Sequence, residues 1–508
     1  MAEPPSLPEP PELKAIPRQR RAIPRPSPQA PPLAPAPAAP VSWKAPAPLP
    51  PLPPITRVPR GGPLPAGTYQ QWGWESLRGR TTGDFNLVFA VRFSTPLVLT
   101  ALLASLRELE RRQEALRTGL VPSADEPWTI CQVIHPPGQL AVPLIDLTLL
   151  RGEVQEAELG RLSVEESLRA FDIARPMVRV HLVRLAETEH VLLFIFNHMV
   201  CDGWSIEVLR GELATLYEAF AAGRPALLPE LPVQFVDFAA WQQQIATSEA
   251  IAGQLAYWRR RLTGLPAPLV LDGDWQTAPG RGTAQAACWF SPQETARIRA
   301  FARSRASTTP LVILTALGML LAVYTGETDF VIESKVLGRT RPEVASIIGM
   351  FMNTLAHRLD FSGQPGFAEA LRRTRDGVLE DYANQDVTYP DVLREVLPGH
   401  RQLSRVGFNM VIAHDSASFE SRDREEGVFS HEGRRPDVEK AKYDLLLFVR
   451  EDREELRLMI LASADRFLPE TATAIAADLE ELIGRAVEDP AAPAGRLLPR
   501  PRYRQRFI

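Results

Sequence analysis

A chain of 508 residues with 45% hydrophobic content is long enough for two or three structural units and apolar enough for a sizeable core, which excludes disorder of the whole chain. The net charge of −4 is unevenly spread: residues 1–60 hold eight Lys/Arg against three Glu, residues 491–508 hold five Arg and no acid, and the body between them carries −14. Basic tails on an acidic body do not make a nucleic-acid surface, which needs its basic residues on the fold itself.

In chain order, the N-terminus "MAEPPSLPEP" lacks the basic-then-apolar layout of a signal peptide. Residues 1–60 hold 21 of the 48 prolines, and strings such as "PPLAPAPAAP" support neither helix nor ladder. Residues 1–62 therefore read as a disordered, Pro-rich basic tail whose knot "RQRRAIPR" is a candidate docking motif. Folding is expected from Pro63. "LVLTALLASLRELERRQEAL" has apolar residues at helical spacing, and "MVRVHLVRL" and "HVLLFIF" alternate like the two strands of a hairpin. The helix "SIEVLRGELATLYEAFAAGRP" follows, with Ser205 as expected N-cap and Gly223 as stop signal.

"RPALLPELP", 224–232, reads as a linker between two lobes. Beyond it come the helices "FVDFAAWQQQ" and "QLAYWRRRL", the strand "QAACWFS", the helix "SPQETARIRAFARSR" and the strands "FVIESKVLG" and "YDLLLFVRE". The longest apolar run, Pro310 to Gly326, is shorter than the ~20 residues a membrane span needs and is expected as a buried helix. Strands and helices alternate in both halves, which predicts an α/β protein of two lobes, 63–230 and 231–490, followed by a basic C-terminal tail, 491–508. Cys131, Cys201 and Cys288 suit neither a disulfide framework nor a zinc site, so a reducing cytoplasm is the expected location.

The stretch "FIFNHMVCDGWS", Phe194 to Ser205, carries the chemistry. A strand followed by a turn and a helix places His198 at the strand's C-terminal end, where open α/β sheets hold reactive groups. Imidazole is the side chain best matched to proton transfer near neutral pH. Asp202 is expected to orient the loop through a buried salt bridge, and Gly203 to allow a tight turn where a side chain would not fit. The other histidines, His135, His181, His190, His357, His400, His414 and His431, lack metal-ligand spacing and read as structural or surface residues.

Several stretches, in order, resemble the condensation domains of nonribosomal peptide synthetases. "TYQQWGW" is similar to their opening Q-x-x-x-W element through Gln70 and Trp74, and "RRQEALRT" to R-H-E-x-L-R-T with Arg117 retained. "NHMVCDGWS" resembles H-H-x-x-x-D-G-W-S, and "FVDFAAWQ" resembles Y-x-D-F-A-x-W-Q. "GRTRPEVASIIGMFMNT" resembles the G-R-x-R and I-G-x-F-x-N-T run through Arg339, Gly349, Phe351 and Asn353, and "NQDVTYPDVL" the later N-Q-D element. The resemblance spans roughly 63–490.

It implies two chloramphenicol-acetyltransferase-like lobes arranged as a V around a central channel, and an acyltransferase that condenses a carrier-bound acyl or aminoacyl thioester with an amine. The thioester would arrive on the phosphopantetheine of an acyl or peptidyl carrier protein, recruited through the basic tails; no cofactor or metal is expected to be bound. The acceptor would be a small molecule or itself carrier-bound. His198 would take a proton from the nucleophile, Asp202 would pair with Arg339 or, second, Arg117, and the Gly203 N–H would face the developing oxyanion. Asn197, Trp204, Ser205 and Asn353 are expected as supporting residues.

Three departures stand out. Asn197 replaces the first motif histidine, which predicts a viable motif with weakened support; Cys201 stands where Ser is common and reads as a small buried residue; Trp72 replaces an arginine. No P-loop or carrier-type serine motif occurs, so substrates are expected from other proteins. The alternatives are ester formation with a soluble alcohol and a non-catalytic module that recruits a carrier or enzyme through the same fold.

Overall fold

The computed structural model describes residues 51–76, 82–124, 126, 128–274, 283–396, 398, 402–412, 443–451 and 455–503. The knot "RQRRAIPR" and His400, His414 and His431 lie outside the described residues.

The strand of the histidine motif is continuously apolar because it is the inner strand of a sheet covered on both faces. The N-terminal half runs β1 (Leu64–Pro65), α1 (Thr68–Ser76), β2 (Asn86–Phe93), α2 (Leu99–Arg112), a 3₁₀ turn (Glu114–Arg117), β3 (Thr118–Pro122), β4 (Ile130–Ile134), β5 (Leu144–Asp146), α3 (Gly152–Leu168), β6 (Val178–Arg184), β7 (His190–Asn197) and α4 (Gly203–Ala221). One sheet has the order β2-β7-β6-β5, and β7 pairs antiparallel with both β2 and β6. Alternate β7 side chains enter two cores: Leu192, Phe194 and Phe196 pack with Leu102, Leu106 and Leu209 on one face, while Val191, Leu193 and Ile195 pack with Leu159 and Met177 on the other. A small sheet β1-β4-β3 stands beside it.

The C-terminal half runs α5 (Phe235–Ile245), α6 (Glu249–Leu262), β8 (Thr283–Phe290), α7 (Pro292–Ser304), α8 (Thr309–Thr325), β9 (Asp329–Val336), β10 (Asn353–Asp360), α9 (Phe367–Ala383), α10 (Tyr389–Val396), β11 (Val406–Ile412), β12 (Leu445–Glu451), β13 (Leu456–Ser463), α11 (Pro469–Glu488) and α12 (Ala494–Leu497). Its six strands take the order β10-β9-β11-β12-β13-β8; β11 is parallel to both its neighbours and every other pair is antiparallel. α8 is buried almost all round, with Pro310 in its first turn and Gly326 closing it in the left-handed conformation at φ 74°. It belongs to a core shared with α7, α9 and α11. No single helix among the described residues is long and apolar enough to cross a membrane.

Local capping differs from expectation at α4. Ser205 is its third residue rather than its cap; Asp202 is the N-cap and its carboxylate accepts the Ser205 N–H at 2.8 Å.

Both ends of the described chain are docked rather than free. Ile55 is buried among Phe238 and Trp241, the Trp241 indole donates to Pro53 O at 2.7 Å, and Arg57 donates to Leu231 O and Pro232 O at 2.6 and 2.8 Å. Arg60 bonds Asp237 of α5 and Glu114 of the 3₁₀ turn. At the other end Leu497, Leu498 and Tyr503 join the α8–α11 core, and Arg502 pairs with the buried Asp478 and with Glu481, both at 2.9 Å. Composition marked 51–62 and 491–503 as tail because proline and arginine dominate them. A few apolar side chains and matched carboxylates outweigh that composition, and Arg502, assigned to carrier recruitment, is already engaged.

Candidate functional site

The β2–β7 register opposes Asn86 and Asn197, and the chain leaves the sheet there into the turn that carries His198. The His198 N–H donates to Phe85 O at 2.7 Å, which ties the turn to β2. Asn197, with no exposed surface, bonds Asn86 Oδ1 through its amide nitrogen at 3.2 Å and accepts the Met199 N–H at 3.1 Å. Asn86 in turn donates to Ser167 O and Arg169 O at 3.0 and 2.9 Å. The support expected to be weakened at position 197 is thus a buried amide pair, each member held at both ends.

Four residues after His198, Asp202 closes a different junction. Its Oδ1 accepts from Ser205 N, Ser205 Oγ and Arg339 Nη2 at 2.8, 2.6 and 3.0 Å, and its Oδ2 accepts the Phe351 N–H at 3.0 Å. Arg339 Nη1 donates to Val344 O and Ile347 O at 2.8 and 2.7 Å, Nη2 also donates to Ser205 Oγ at 3.0 Å, and the guanidinium lies 4.1 Å from the Phe351 ring centroid. Both members of the pair are buried, so their desolvation is offset by these partners. Ser205 Oγ also accepts the Gly349 N–H at 3.0 Å. Gly338, just before Arg339, has φ 64°, and a Cβ there would fall 1.8 Å from Phe351 O, so only glycine fits. Ile348 of the same loop packs in the core beneath α4 with Leu209 and Leu213.

Arg339 is therefore the partner of Asp202, and Arg117 is not. Arg117 donates to His135 O and Glu110 O at 2.6 and 3.3 Å, holding the end of β4. Gly203 departs from expectation as well: its φ is not left-handed and a Cβ added to it would meet nothing within 4 Å, so the space beside it is open to the exterior. Trp204 donates to Ala345 O at 3.0 Å. Asn353 sits farther out, donating to Gln385 O and Val387 O and accepting from Tyr69 Oη and the Tyr389 N–H, which ties α1 to the "NQDVTY" segment.

Burial pushes the Cys201 thiol well up, and the Asp202 charge adds to the shift; the group stays protonated and is a packing residue. The described residues contain no cluster of three or more His, Cys, Asp or Glu placed to hold a metal.

Two contributors had little sequence signal. Gln113, fully buried, donates to Ser346 O at 3.0 Å and accepts the Ile348 N–H at 2.9 Å, bonding the loop across 233 and 235 residues. Gln70 matched a family element, but its contact with the His198 turn, a bond to Met199 O at 2.9 Å, follows only from the packing of α1.

Comparison with known proteins identifies the family. The condensation-domain model matches residues 64–505. Chondramide synthase of Chondromyces crocatus is 32% identical over 448 residues, which is 86% of this chain but 11% of that protein's length. Among solved structures, an X-domain from teicoplanin biosynthesis is 27% identical with a TM-score of 0.74, covering 87% of this chain and 99% of that one. The starter condensation domain of rhizomide synthetase shares the fold at 17% identity, with a TM-score of 0.70 and coverage of 85% and 96%.

Proposed function

The chain belongs to the condensation-domain family of nonribosomal peptide synthesis, and from that premise we propose that it forms an amide by passing a carrier-bound acyl or aminoacyl group to an amine. The observation that carries the reading is the pairing of a held His198 turn with a buried Asp202–Arg339 junction.

The roles follow from that geometry. His198 accepts the proton that the amine loses as its lone pair forms the C–N bond to the thioester carbonyl carbon. The C–S bond then breaks, and the departing sulfur takes the proton held by His198 to leave as the thiol of the carrier's phosphopantetheine arm. Asp202 caps α4 and holds the C-terminal half's loop beside the turn. The Gly203 N–H, at the start of α4 and beside open space, is the donor we assign to the carbonyl oxygen as negative charge develops there; such a donor contributes about 2.7–4 kcal/mol.

A second reading, a non-catalytic recruitment module, is favoured by the likeness to the X-domain. Ester formation with an alcohol is the same chemistry with a nucleophile that needs the base more. Incubating the full chain with acyl-loaded carrier protein and panels of amines and alcohols, read by intact mass spectrometry, separates them. We expect loss of acyl from the carrier and an amide product. Ester alone supports the variant chemistry, and a stable complex without turnover supports the recruitment module.

A further inference from the structure

We propose that Gln70 is a positioning residue for His198, acting by holding the Met199 carbonyl while Asn197 holds the Met199 N–H. The inference rests on the role given to His198 above.

The imidazole's place depends on the three peptide units around it, and each is anchored by a hydrogen bond. The unit before His198 donates its N–H to Phe85 O at 2.7 Å. The next donates the Met199 N–H to Asn197 Oδ1 at 3.1 Å. The third presents the Met199 C=O to Gln70 Nε2 at 2.9 Å. Phe85 immediately precedes β2 and Asn197 ends β7, whereas the third anchor comes from another element, α1. Gln70 has no exposed surface; its Oε1 takes the Gly67 N–H at 2.9 Å, and its amide nitrogen also lies 3.4 Å from Gln132 Oε1 on β4. One turn further along α1, a Cβ on Gly73 would come within 3.2 Å of the Met199 side chain, so the helix surface is shaped to that residue.

The neighbouring residue on α1 gives the contact a direction. Tyr69 Oη bonds Asn353 Oδ1 and Thr354 Oγ1 at 3.1 and 3.0 Å. Two adjacent residues of one nine-residue helix therefore hold β10 of the C-terminal half and the His198 turn of the N-terminal half. α1 sets where the imidazole stands relative to the C-terminal half. Because a shift of about 1 Å in a reacting group costs about 10²-fold in rate, loss of this anchor falls on turnover rather than on substrate binding.

Three variants test this in the full chain. Gln70→Met keeps the volume and removes both the donor to Met199 and the acceptor for Gly67; we expect kcat to fall about 10²-fold with KM for the loaded carrier within about threefold. Gln70→Glu keeps the acceptor for Gly67 but donates to Met199 only when protonated. Burial raises a carboxyl pKa, so its kcat relative to the native chain at the same pH should recover as pH falls from 8.5 to 6.5, a recovery Gln70→Met should not show. His198→Gln, run in parallel, assigns the His198 signal in histidine-labelled NMR spectra, where Gln70→Met should shift or broaden that signal without needing turnover. A Gln70→Met chain with native kcat and an unmoved His198 signal overturns the proposal. A native chain without turnover in which Gln70→Met still moves the signal retains Gln70 as the anchor and discards only the catalytic reading; an unmoved signal there discards both.

Discussion

The two ends of the motif are held by opposite halves of the molecule. The His198 turn is tied to Phe85, Asn197 and Gln70, all before residue 200, whereas Asp202 is tied to Arg339 and Phe351, more than 130 residues later. The difference assigns separate tasks to residues four apart: one is kept in place by its own half, and the other joins the halves. Damage at Asp202 should thus appear first as lost stability, and damage at His198 as lost chemistry.

The largest effect is expected at the junction. Asp202→Ala leaves Arg339 buried without its carboxylate and strips the cap of α4, and should cost about 3–5 kcal/mol in urea denaturation. A loss under about 1 kcal/mol would mean that the junction does not hold the halves together. Arg60→Ala removes a cation shared by Glu114 of the N-terminal half and the fully buried Asp237 of α5. Asp237 keeps the Val58 and Gln234 N–H groups, so the expected loss is smaller, about 1.5–3 kcal/mol. An unchanged midpoint would show the docked arm to be incidental to the contact between halves.

The cysteines sharpen the same contrast at the smallest scale. Burial pushes the Cys288 thiol up to about 12 and the Cys201 thiol well above its usual range, so both stay protonated from neutral pH to about pH 9, while Cys131 is only partly buried. Iodoacetamide at pH 8, followed by peptide mapping, should label Cys131 in the native chain well before the other two. Rapid labelling of Cys201 would mean that the segment between His198 and Asp202 opens to solvent.

Much of this was legible in the residues themselves. The β6–β7 hairpin, the buried α8 and the capping-box helix α7 follow from periodicity and local stop signals. Arg339 as the partner of Asp202 followed from the family resemblance. What composition misread were contacts between distant segments. The proline- and arginine-rich ends looked solvated, because nothing local to Arg60 or Arg502 announces that Asp237 or Asp478 waits buried elsewhere. Ser205 looked like a cap because it precedes the periodic run, while the carboxylate three residues earlier captured the free N–H. Gly203 looked like a steric necessity and instead borders open space. The parallel insertion of β11 between β9 and β12 left no mark on its own alternation.

The central claim is that His198 performs chemistry on a frame that does not depend on it. The direct measurement is single-turnover acyl transfer from a loaded carrier to an accepted amine, with His198→Ala and native chain matched for thermal midpoint. A native-like midpoint and loss of turnover by at least about 10²-fold, the lower bound for a general base, are expected. Turnover by His198→Ala at the native rate would contradict the claim.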